Sequence, residues 1–88
     1  MQLFFSNAPR RLTQIREAVA GLDALALENV AHTLKSNCAM LGASKLATMC
    51  ATLERLGEAG TLADAPAILR EMEAEFVRVR QALEDLKP

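Results

Sequence analysis

The chain has 88 residues, 51% hydrophobic but only 3% aromatic, and ten Lys+Arg against eleven Asp+Glu leave a net charge of −1. That length holds one domain, 1–88, with a core of Leu, Ala, Met and Val, a composition that favours helix over strand. The balanced charge, with no basic run longer than Arg10-Arg11, excludes a nucleic-acid footprint, and no stretch approaches the ~20 apolar residues of a membrane span, so direct contact with either is not expected.

The first periodic segment runs from about Leu3 to Ala20, with Leu3, Phe4, Leu12, Ile15 and Val19 on one side and Gly21 as a stop. Pro9 removes one backbone donor, which predicts a break or kink near Asn7 and a fresh helix start after it. A second helix is expected from about Ala24 to Leu41, with Asp23 as N-cap and Gly42 closing it. A third runs from about Ser44, itself a candidate N-cap, to Glu58, with Leu46, Met49, Cys50, Leu53 and Leu56 as its stripe. The stretch "GEAGTLAD" then turns the chain. The fourth runs from about Ala65 to Leu86, capped by Asp64 with Pro66 in its first turn, and its stripe is Ile68, Leu69, Met72, Phe76, Val79, Leu83 and Leu86. Every link is short, which sets consecutive helices antiparallel. The expected fold is all-α, an up-down four-helix bundle with a kinked N-terminal lead-in. Cys38 and Cys50 lie among apolar neighbours at helical spacing and read as reduced core thiols of a cytoplasmic domain, not a disulfide framework.

The chain has one histidine, His32, inside the second helix. With Leu34 at the centre of the apolar face, Leu27, Val30, Cys38 and Leu41 project within about 40° of it and Ala31 within about 60°. His32 projects about 160° away, so it points to solvent and is not a core histidine. Lys35 and Ser36 lie one turn on, and Glu28 and Asn29 one turn before. Ser36 and Ala39 keep the surface beside the imidazole low, so another protein can approach closely.

An exposed imidazole is mostly neutral near pH 7 and offers one ring nitrogen as a nucleophile. Lys35 brings a compact positive charge that suits the oxygens of a phosphoryl group. A metal site would need three or four converging ligands, and a lone histidine with two core cysteines does not supply them. No second histidine could act as base for acyl transfer, and no Gly-rich loop could hold nucleotide phosphates. A phosphoryl group on His32 would therefore have to come from a partner.

The run "AHTLKSNCAMLGASKLATMCATLE" resembles the signature of histidine phosphotransfer (HPt) domains of bacterial phosphorelays. Ala31, His32, Leu34 and Lys35 match its first part, Leu41, Gly42 and Ala43 its second, and Leu46, Cys50, Leu53 and Glu54 continue it. The lead-in "LFFSNAPRRLTQIREAVAGLD" resembles that of HPt domains at the C-terminus of hybrid sensor kinases, which implies a parent anchored in the inner membrane. The resemblance implies a phosphocarrier with no ATP site of its own. His32 would accept a phosphoryl group from a receiver-domain aspartate and pass it to another receiver, with Lys35 steadying the phosphoryl. Response-regulator receiver domains would be the partners, their acidic residues would hold Mg²⁺, and this chain would bind no cofactor or metal. The docking surface would take in Asn29, Ser36, Ala39 and Met40, with parts of the first helix beside them. The family usually has Gly where this chain has Ser36, and Asn37 and Met40 also depart from its common residues.

Two other readings compete. One is a helical scaffold that binds receivers without being phosphorylated, with Ser36 as its motive. The other is the dimerisation and phosphoacceptor domain of a sensor kinase, in which two chains form the bundle. Four helices in one chain can close a bundle alone, which argues for a monomer.

Overall fold

Four helices follow one another, α1 (Gln2–Ala20), α2 (Ala24–Leu41), α3 (Ser44–Ala59) and α4 (Ala65–Asp85). This is a computed structural model that describes residues 2–85, with side chains described from Pro9 onward except that of Leu83. No strand occurs among the described residues. The bundle measures 45 × 19 × 19 Å. Each helix packs on the next and α1 closes on α4, so α1 and α3 lie diagonally across the bundle.

The apolar stripes form one core. Ile15, Leu27, Leu46, Leu53 and Met72 are fully buried in it, joined by Leu12, Val19, Leu34, Leu69 and Phe76. Val30, Leu41, Met49, Leu56, Ile68 and Val79 are half-buried at its edge. Leu62, in the α3–α4 link, is buried as well. No polar or charged residue is buried among the described residues, so the core is apolar packing, with ion pairs such as Arg16–Glu73 joining helices at its surface. Cys38 and Cys50 are free thiols in this core, and Cys50 Sγ donates to Met72 Sδ at 3.6 Å. The expected stripe positions Leu3, Phe4, Leu83 and Leu86 have side chains outside the described residues.

Three local expectations are corrected. The break near Asn7 is absent, because α1 runs unbroken through Pro9. A proline forfeits its own hydrogen bond but its fixed φ is helical, and Thr13 Oγ1 donates to the Pro9 carbonyl at 3.0 Å. Ser44 is not an N-cap: Ala43 holds that position without a side-chain hydrogen bond, and Ser44 is already helical. Gly57 is not a turn residue but a buried position inside α3. A Cβ there would stand 2.8 Å from both the Ala24 carbonyl oxygen and the Glu28 amide nitrogen, so glycine is what lets the α2 and α3 backbones meet.

The caps of α2 are as expected. Asp23 accepts from the Ala26 amide at 3.1 Å, and Gly42 ends the helix in a left-handed conformation at φ 87°. Leu22 also adopts positive φ, 54°, as the chain turns from α1 into α2. Asp64 directly precedes α4, and its carbonyl accepts from the Ile68 amide at 3.3 Å.

Candidate functional site

His32 lies on the outer face of α2, with 62% of its side chain exposed. The projected orientation is therefore right, and the helix whose side chain reaches its ring is α3. The close α2–α3 crossing at Gly57 sets an antiparallel register in which residues one turn further along face each other. That register brings Glu54 of α3 opposite His32 of α2, and Glu54 Oε2 lies 2.7 Å from His32 Nδ1. Its other oxygen, Oε1, accepts from Lys35 Nζ at 2.6 Å. One carboxylate thus bridges both residues singled out in the sequence.

The side chain of Glu54 is 19% exposed and that of Lys35 35%. Lys35's hydrogen bond, joined by that of His32, holds the Glu54 carboxyl below the usual carboxylate range, against the partial burial that pushes it up. An ionised carboxylate can only accept, so the Nδ1 atom of His32 must carry the proton. The lone pair of the neutral ring is then on Nε2, which has no partner among the described residues. The arrangement chemically presents one outward nucleophilic nitrogen on a rigid helix.

On α2 the ring has Glu28 and Lys35 to one flank and uncharged side chains to the other. Asn29, Ser36, Ala39 and Met40 are all exposed on the same face of α2. Ser36 Oγ donates back to the His32 carbonyl at 3.4 Å, which folds the hydroxyl against its own helix. The face also carries Leu25, two turns before His32, which the sequence reading did not select. Leu25 is 67% exposed and Met40 87%, so two apolar side chains flank the imidazole about 22 Å apart along the helix. In the core, the neighbouring Cys38 thiol and burial push the Cys50 thiol upward. No group of three or more His, Cys, Asp or Glu that could hold a metal ion occurs among the described residues, and no described helix is long and apolar enough to cross a membrane.

Comparison with known proteins decides the family. The Hpt domain family matches residues 1–87. The chain is an Hpt domain. Its fold superposes on the crystal structure of histidine-containing phosphotransfer protein B (HptB) from Pseudomonas aeruginosa PAO1, with a TM-score of 0.92 and 34% identity. That match covers 96% of this chain and 73% of the other. No curated protein sequence matches the chain.

The function of this Hpt domain is histidine phosphotransfer in a phosphorelay, and Hpt domains interact with the receiver domains of response regulators. Glu54 is the site residue whose part the sequence reading missed. The family pattern matches it, but only the α2–α3 register shows that it reaches across to His32. Periodicity within one helix carries no such signal.

Proposed function

We propose that His32 is the phosphoacceptor of this Hpt domain, taking a phosphoryl group through Nε2 from the aspartyl phosphate of one receiver and passing it to the aspartate of another. The observation that carries this is the exposed imidazole whose Nδ1 is bound by Glu54 while Nε2 has no partner among the described residues. Nε2 attacks phosphorus in line, the P–O bond to the aspartate breaks, and its electrons return to the carboxylate. Such a transfer passes through a loose transition state and asks for positioning and charge neutralisation, not for a base from this chain. The receiver's acidic residues supply the Mg²⁺, so this chain needs no metal of its own.

Lys35 steadies the phosphoryl. Its ammonium rests on Glu54 Oε1, and its four-carbon stem lets it swing toward a group attached to Nε2. Asn29, Ser36, Ala39 and Met40 form the docking surface, extended by Leu25 toward the start of α2. A receiver that brings its aspartate to His32 must cover this strip. The domain acts as a monomer in the cytoplasm, since its four helices close their own core.

The test is transfer from a phosphorylated receiver domain to wild type and His32→Gln in parallel. An acid-labile label on wild type alone is the expected result. A folded, receiver-binding wild type that takes no label would overturn the proposal and leave a scaffold.

A further inference from the structure

The Glu54 contact bears on the phosphorylated state as well as the resting one. A phosphoryl group on Nε2 leaves most readily when Nδ1 is protonated. The N–P bond then breaks with its electron pair going to Nε2, the phosphoryl passes to the acceptor's carboxylate oxygen, and the ring departs as neutral imidazole. If Nδ1 has lost its proton, the leaving group is an imidazolate, which is far poorer. Resting on the proposed role of His32, we propose that Glu54 keeps the Nδ1 proton on the ring while the phosphoryl is attached, so that this domain holds its phosphoryl in the transferable form even in alkaline solution.

Three observations carry this. Glu54 Oε2 lies 2.7 Å from Nδ1, so its charge is set against the nitrogen in question. The Glu54 side chain is four-fifths shielded from solvent, which limits screening of that charge. The two contacts use different carboxylate oxygens, so the one to His32 stands when Lys35 turns to the phosphoryl.

The other charges facing the ring are few. On α2 they are Lys35, already held by Glu54, and Glu28, one turn before His32. On α3 the next acid is Glu58, exposed one turn beyond Glu54. The α1 helix also packs on α2, and its half-buried Arg11 donates to Gln14 of its own helix. The lysine alone opposes retention of the proton, and in the resting protein its charge is matched by the Glu54 carboxylate.

Glu54 acts through His32 and is a positioning residue, so the test needs a readout that a structural role would not move. Wild type and Glu54→Gln are phosphorylated with phosphoramidate, a small donor that needs no docking surface. The ¹⁵N–¹H spectrum of the ring is followed from pH 5 to 10. A single histidine makes the signal unambiguous. Glutamine keeps the shape and an accepting oxygen but removes the charge. The expected result is a midpoint for loss of the Nδ1 proton that is higher in wild type by about one pH unit or more. Transfer to a receiver should then persist to correspondingly higher pH in wild type, by about tenfold at pH 9. Coincident midpoints, with both proteins folded and phosphorylated, would overturn the role of Glu54 and leave His32 as phosphoacceptor untouched. A folded wild type that phosphoramidate labels anywhere but His32 would instead sink the reading on which this rests.

Discussion

Replacing Gly57 with Ala tests how the site is assembled, because two effects pull in opposite directions. Alanine is the better helix former, worth about 1 kcal/mol over glycine in a helix interior. Against that, the added Cβ would lie 2.8 Å from Ala24 O and Glu28 N and 3.1 Å from Glu28 Cα. All three are backbone atoms of α2, so no side-chain rotation relieves the clash. The helices must part by roughly half an ångström to restore ordinary contact at a seam that otherwise packs closely. Overpacking of this kind costs about 1–3 kcal/mol, and a rigid backbone obstacle belongs at the upper end. The net expectation is a loss of about 1–2 kcal/mol, or a fall in Tm of about 5–15 °C for a domain of this size. Urea unfolding followed by circular dichroism reads the free energy, and the imidazole ¹⁵N shifts read the Glu54–His32 contact, which should loosen. A Gly57→Ala protein as stable as wild type, or more so, would refute the close crossing and the register derived from it.

Other expectations follow from the same structure. Leu25→Asp and Met40→Asp, each at an exposed position, should leave thermal unfolding within about 0.5 kcal/mol of wild type. Both should weaken receiver binding measured by calorimetry while phosphoramidate still labels His32; unchanged receiver affinity would move the docking surface elsewhere. Glu54 has a carboxyl lowered on folding by Lys35 and His32, so its ionised form stabilises the native state above the unfolded value near 4.5. That contribution is lost as pH falls through the lower folded value. The stability gap between wild type and Glu54→Gln should thus be present at pH 6–7 and close in acid; a gap that widened in acid would reverse the sign of the linkage. Cys38 and Cys50 are buried, with the Cys50 thiol pushed up, so a thiol reagent should modify them only as the protein unfolds. Rapid labelling of the native protein would contradict their burial.

Much of this was legible in the sequence because it is local. Asp23 and Gly42 bracket α2 by cap chemistry, and the stripe through Leu27, Leu34 and Cys38 determines which side of the helix His32 must avoid. What the sequence hid depends on a neighbouring helix. Gly57 looks like a turn residue until α2 is laid against it, and Glu54 looks like a surface acid until the same crossing sets it opposite His32. Pro9 misled because proline's local cost predicts a break, whereas one lost hydrogen bond did not end α1. Leu25 went unselected because seven residues separate it from the histidine, although two helical turns bring it back to the same face.

The central claim is that Glu54 occupies Nδ1 and leaves Nε2 of His32 to carry the phosphoryl group. The direct measurement is a phosphorus-coupled ¹⁵N spectrum of the single imidazole after transfer from a phosphorylated receiver. Coupling to Nε2, with Nδ1 still protonated, is the predicted result. Phosphorus on Nδ1, or on any residue other than His32, would contradict it.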